Sequence, residues 1–187
     1  MPKRRVKRHA VTQPLDPSYK IIALTQGQNT KVTAADFPYL DQWNWFAHWN
    51  GCTHSFYAMR HIIGSKRITE MAKEILKCTP KKLPDHKNHD TLDNRRENLR
   101  KATHSQNGSN RKKINSNNTS GYTGIRFRKK EKKWEARISH KGIYFHLGLF
   151  TSDKKAAHAH DEAAKKLHGE FAHLNFPPQL KGPDATP

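Results

Sequence analysis

Six consecutive polar residues, Asn115-Ser-Asn-Asn-Thr-Ser120, interrupt the chain. Neither a helical nor a strand-like apolar period runs through them. We place the main domain boundary there, so each side must close its own core. Apolar residues make up 34% of the 187, below the usual share for one large core. At ~100–200 residues per domain, the length fits one domain or two small ones. Several classes drop out. No stretch of ~18 apolar residues could span a membrane. The basic segment Met1 to Ala10 is followed by no apolar run, so a secretory signal is not expected. Two cysteines, Cys52 and Cys78, build neither a disulfide framework nor a four-cysteine zinc site. A reducing compartment fits them best.

Charge sharpens the reading. Lys and Arg number 35 against 16 Asp and Glu, a formal net charge of +19. Between Arg95 and Lys141 stand 15 Lys and Arg against Glu97, Glu131 and Glu135, so +12 of the total sits there. A solvated face mixes signs; a one-signed stretch points to a polyanion, whose counterions the cations release. A membrane surface is the weaker partner, because no long basic amphipathic helix with an aromatic face is visible.

Residues 1–18 read as a disordered basic arm, with Lys3, Arg4, Arg5, Lys7 and Arg8 ahead of Pro14 and Pro17. Tyr19 to Leu24 has a strand pattern. Ala34 to Asn44 has helical spacing, and Ser55 to Arg60 alternates like a strand. Ile68 to Leu76 fits a strand or a short helix. Trp43, Trp45, Phe46 and Trp49 read mostly as core, while Arg60 and Arg67 are candidate phosphate contacts. Thr103 and Gln106 form a capping-box pattern ahead of a short helix, His104 to about Arg111.

After the polar run, residues 121–128, 133–139 and 143–150 read as three strands around two turns. Thr151 or Ser152 caps a helix through about His168, closed by Gly169. Ala156, Ala159, Ala163 and Leu167 mark its inward face. Leu174-Asn-Phe-Pro177 is expected to pack back. Arg126 and Arg128 share one strand face, as do Tyr144 and His146 on the third strand, with Arg137 on the second. The stretches Ser120 to Arg128, Lys133 to Ile138, His146 to Phe150, Ala156 to Ala164 and Leu174 to Pro177 resemble the AP2/ERF-type DNA-binding domain. The resemblance implies a three-stranded antiparallel sheet packed on one helix, with the sheet in the major groove of double-stranded DNA. It implies DNA contacts from Arg126, Arg128, Arg137, Tyr144 and His146. Plant members carry Arg where this chain has Thr123 and Trp where it has His146, so their target sequence does not transfer.

Chemistry concentrates upstream, in Asp85-His86, Asn98 and Asn107. Phosphodiester hydrolysis needs a base for water and cationic charge at the phosphate. An imidazole beside a carboxylate offers the first and a ligand for the second. Asn107, on the capped helix, adds an amide oxygen suited to a hard cation. The order Asp85-His86, Asp93 to Arg100, Thr103 to Asn107 resembles the HNH endonuclease family, nearest to its phage and intron-associated homing-type members. That resemblance implies a ββα-metal module with one divalent ion. It makes His86 the general base, Asn98 the brace of the loop, and Asp85 and Asn107 metal ligands. Asn in the third position, where many members carry His, favours Mg²⁺ over zinc or nickel. His104 is the competing ligand. Hydrolysis would leave a 5′ phosphate and a 3′ hydroxyl, and one chain would nick one strand.

The expected fold class is therefore α+β: an HNH ββα-metal nuclease module followed by an AP2-type three-stranded antiparallel sheet packed on one helix. The expected segments are a disordered arm (1–18), the nuclease module (19–114, core motif 83–111), a linker (115–120), the DNA-binding domain (121–177) and a disordered tail (178–187). The expected function is a metal-dependent DNA endonuclease targeted by its second domain. The alternative is a non-catalytic DNA-binding regulator with a degenerate nuclease fold. An RNA-binding protein fits the charge but lacks aromatic RNA-reading strands. No membrane partner is expected; a monomer in solution and a homodimer on DNA both fit. The cytoplasm of a bacterial or phage-infected cell is the expected location.

Overall fold

The computed structural model describes residues 8–110 and 118–177. The expected tail and residues 115–117 of the expected linker lie outside them. The chain divides into two compact units, residues 1–104 and 105–187.

In the first unit, β1 (Tyr19–Ala23) and β2 (Asn29–Thr33) pair antiparallel. Of the arm expected over 1–18, residues 8–18 are described. Gln13 exchanges two hydrogen bonds with the Ile21 backbone, at 2.9 and 3.0 Å. A 3₁₀ turn, Ala34–Asp36, leads into α1 (Phe37–Asp41). The helix expected to reach Asn44 stops early for a local reason. The indole N–H of Trp45, itself buried, donates to the Leu40 carbonyl at 2.8 Å and pulls the chain inward. β3 (Phe46–Asn50), β4 (Ser55–His61) and β5 (Ile68–Glu70) form an antiparallel sheet in that order. α2 (Met71–Leu76) follows directly, so Ile68 to Leu76 is strand and then helix. Arg60 is not at the surface: it pairs with Glu74 at 2.7 Å and lies over the Trp43 ring at 4.2 Å.

β6 (Leu83–His86) and β8 (Leu99–Ala102) form a hairpin, Leu83 opposite Ala102 and His86 opposite Leu99. Inside its long loop, β7 (Asp93–Asn94) joins β2 in parallel, Lys31 beside Asp93 and Val32 beside Asn94. One core, including Ile22, Val32, Leu40, Trp45, Met71, Ile75 and Leu99, underlies these sheets. The hairpin is thereby fixed on both sides: Leu99 roots it in the core, and β7 stitches its loop to the N-terminal sheet. α3 (His104–Ser109) follows, and its residues from Ser105 onward group with the second unit.

Ahead of the second unit's sheet stands an Asx turn in which the Asn118 carboxamide oxygen accepts from the Ser120 and Gly121 N–H groups at 2.9 and 2.8 Å. β9 (Ile125–Arg128), β10 (Lys133–His140) and β11 (Ile143–Phe150) form an antiparallel sheet with β10 central and a bulge between Ala136 and Arg137. α4 (Asp153–His168) packs on it. Ser152 is the first flanking residue of α4, but its hydroxyl makes no capping bond. Helix and sheet meet through Ile125, Ala136, Ala156 and Ala157, with Trp134, Leu147 and Phe150 at the edge.

The inward stripe of α4 is Ala156, Ala157, His160, Asp161 and Ala164, turned from the expected alanine row. Two of these are polar, and both have work to do. The Asp161 carboxylate accepts from the N–H groups of Asn175 and Phe176 at 2.9 and 2.8 Å, and from the Asn175 side chain at 2.9 Å. That holds the C-terminal segment against the domain, as its sequence suggests. His160 lies so close to Gly124 that a Cβ there would sit 2.0 Å from its ring, and Gly124 has a φ of +79°. Only glycine fits on both counts. The chain is thus α+β, with a three-stranded sheet on one helix in its second half.

Candidate functional site

Five polar side chains of the β6–β8 region are buried together: Asp85, His86, Asp93, Asn94 and Asn98. Burial of polar groups costs free energy unless each is hydrogen-bonded, so their partners carry the argument.

Asn98 ends the loop. Its carboxamide oxygen accepts from Asn88 N–H at 3.0 Å, its amide donates to the Asp93 carbonyl at 2.8 Å, and its carbonyl accepts from Lys87 N–H at 2.9 Å. Residues 87–93 are clamped from one residue, by its side chain and its backbone carbonyl. Asp93 adds a second clamp. Its carboxylate takes two bonds from the Arg95 guanidinium, both at 2.8 Å, and one from the Asn88 amide at 3.0 Å. Burial opposes its ionisation, yet Arg95 holds its pKa below the ordinary value.

His86 stands at the end of β6. Its Nε2 lies 3.2 Å from the Asn94 carboxamide oxygen. Asn94 in turn donates through Nδ2 to the Thr30 hydroxyl at 2.9 Å, and that hydroxyl donates to the Leu92 carbonyl at 2.7 Å. The chain of bonds assigns the protons. A backbone carbonyl only accepts, so Thr30 gives its proton to Leu92 and accepts from Asn94. Asn94 therefore turns its oxygen to His86, and Nε2 carries the imidazole proton. The lone pair is then on Nδ1. Burial pushes the His86 pKa below its ordinary value, against the opposing pull of Asn94 and the carboxylates of Asp85, Asp90 and Asp93. At neutral pH the ring is a neutral base.

Asp85 sits one residue before, its Oδ2 accepting from Arg100 Nε at 2.7 Å across the hairpin. Asn107 is on α3, within the second unit. Among the described residues, no group of three or more His, Cys, Asp or Glu side chains converges as a metal site. The expected pair, one carboxylate and one amide, is not a set of that kind. Asn94, Thr30 and Arg100 were missed as site residues in the sequence. Asn94 and Arg100 lie inside the quoted motif; Thr30 lies 64 positions from Asn94 and carries no motif signal.

The outward face of β9, β10 and β11 gathers the remaining expected residues. Arg126 and Arg128 stand on β9, Arg137 on β10, and Tyr144 and His146 on β11, with Arg137 directly opposite His146. Tyr144 is 74% exposed, and the Arg137 guanidinium lies over its ring at 5.9 Å. Cations and π-faces on an open sheet are the materials of base and phosphate contact.

A hairpin carrying a buried, oriented histidine is thus followed by a short helix and then by a basic sheet on a helix. Both regions are similar to known families. Residues 79–109 match the family model described as HNH endonuclease, and residues 120–170 match the AP2 domain. Three Arabidopsis thaliana proteins are similar. Dehydration-responsive element-binding protein 2D is 44% identical over 62 residues, covering 32% of this chain and 30% of that protein. Putative dehydration-responsive element-binding protein 2H is 45% identical over 58 residues, 30% of this chain and 36% of that protein. Dehydration-responsive element-binding protein 2A is 47% identical over 47 residues, 24% of this chain and 14% of that protein. The chain thus spans about a third or less of the length of these relatives.

Proposed function

We propose that the chain is a metal-dependent, homing-type DNA endonuclease: the first part hydrolyses a phosphodiester bond of double-stranded DNA, and the AP2 part chooses where. The observation that carries this reading is the hydrogen-bond chain from Leu92 through Thr30 and Asn94 to His86. It leaves a neutral imidazole with a basic Nδ1, which is what removal of a proton from water requires.

His86 takes the proton as water attacks the phosphate in line. Asn98 keeps the loop, and with it the end of β6, from drifting off that geometry. Asp85 is the residue of the hairpin that would hold a Mg²⁺ ion, and the motif order assigns a second oxygen to Asn107. The donor chemistry fits a hard cation, since both offer oxygen, although one Asp85 oxygen already accepts from Arg100. When bound, such an ion supplies positive charge for the phosphate oxygens and the leaving group. The linked AP2 part raises the effective concentration of a weakly selective nuclease at its target.

The Asp85–Arg100 pair also supports a second reading, since a carboxylate that already has a counter-ion can be purely structural. In that reading the chain binds DNA and regulates without cutting. Supercoiled plasmid and a genomic library, incubated with Mg²⁺ or EDTA beside His86→Ala, separate the two. The nuclease reading expects nicks that need the metal and vanish in the variant, with duplex retention intact. Retarded but uncut DNA in every lane, for both substrates, would favour the regulator.

A further inference from the structure

The three strands of the DNA-reading sheet contain a single acidic residue, Glu135 on β10. An acid on a face that meets a polyanion opposes binding. Its surroundings explain its presence. The Glu135 side chain is only 12% exposed, because basic side chains from both neighbouring strands close over it. Arg126 Nε donates to its Oε2, and Arg128 Nη1 stands 3.8 Å from the same oxygen. His146 Nδ1 is 3.1 Å from Oε1. Arg126 and Arg128 come from β9 and His146 from β11, so the central strand ties both edges of the face through one carboxylate. The Arg126 hydrogen bond holds the Glu135 pKa below the ordinary carboxylate value, so it stays charged wherever DNA is bound.

The atom used on Arg126 matters. A guanidinium is a planar fork of five N–H donors. Engagement through Nε fixes the plane and leaves the two terminal nitrogens to face a pair of outside acceptors. Guanine presents such a pair, O6 and N7, in the major groove. A phosphate instead attracts the whole cation and must compete with Glu135 for it. We propose that Glu135 is the positioning residue of this face: it holds Arg126 by Nε, so that its terminal nitrogens select guanine over phosphate. The proposal rests on the DNA-binding reading of the second unit.

The test uses the full chain in EDTA, so that nothing is cut. Duplexes from a randomised pool are enriched, and affinity for a random-sequence duplex is measured against salt. Wild type should enrich a guanine that Arg126→Lys no longer selects, since an ammonium keeps the charge but lacks the fork. Glu135→Gln should weaken preference for that same guanine about tenfold. It should also bind random duplex more tightly, with a salt slope steeper by roughly one. An unchanged unfolding midpoint separates this result from damage to the fold, which would weaken both kinds of binding. Enrichment of the same sequence to the same depth by Glu135→Gln overturns the proposal. So does a loss of random-duplex affinity in step with the preference. If wild type retains no duplex, the DNA-binding reading fails first, visibly before any variant is compared.

Discussion

Asn94 is the residue on which the candidate nuclease site turns. It touches no substrate in the proposed reaction, yet it decides which nitrogen of His86 is basic. Asn94→Ala should leave the Nε2 proton of a buried ring without its acceptor, at about 1–3 kcal/mol of stability. Cleavage should fall by about two orders of magnitude, as for the loss of a residue that orients a catalytic group. Denaturant unfolding and plasmid nicking, measured on one preparation, check both parts; full activity in a destabilised variant would reduce Asn94 to packing. Glu70, at the junction of β5 and α2, carries a different expectation. Burial, against a weaker pull from Lys73, pushes its pKa from 4.5 up to about 7. The folded state then holds this proton more tightly than the unfolded chain. The contribution is fully present below pH 4.5 and is lost as the pH rises through about 7. The stability of wild type relative to Glu70→Gln should therefore decline across that window, by an amount on the order of 3 kcal/mol. A flat difference between the two proteins would count against a proton-holding Glu70.

Among the elements, α4 and the C-terminal segment are the most dependent on one contact. Asp161→Ala removes the acceptor of three hydrogen bonds from Asn175 and Phe176. Charge-assisted bonds are the strong kind, so the variant should lose about 3 kcal/mol. Amide exchange at Asn175 and Phe176 should accelerate before that of the sheet; protection kept there would contradict the lock. The sheet of this unit was legible because its strands alternate and its turns are marked. β11 was placed to the residue, whereas β9 begins at Ile125, four residues inside the expected strand, because the preceding residues are occupied by a turn. The helix face was less legible, because His160 and Asp161 look solvent-facing in a pattern that counts only apolar residues. β2 and β3 were not anticipated: Asn29 to Thr33 is polar to the eye, and Trp49 in β3 is half exposed. Of the candidate site, the residues adjacent in sequence were legible from motif order. Thr30 was not, since its role exists only once β7 has paired with β2.

For the molecule as a whole, the charge sets how it finds nucleic acid. With +19 on 187 residues, duplex binding should depend steeply on salt. If six to ten phosphates are neutralised, affinity should fall by roughly 10³–10⁵ between 50 and 200 mM salt. A titration by fluorescence anisotropy reads the slope; a value near zero would remove the electrostatic account. The parallel pairing of β7 with β2 has a consequence of another sort. The segment resembling known nucleases runs from residue 79 to 109, but the hydroxyl that ultimately sets the His86 tautomer belongs to Thr30. The site is thus not a portable cassette. Transplanted alone onto a foreign scaffold, residues 79–109 would carry every recognisable letter of the motif and leave behind the anchor that tells its base which way to face.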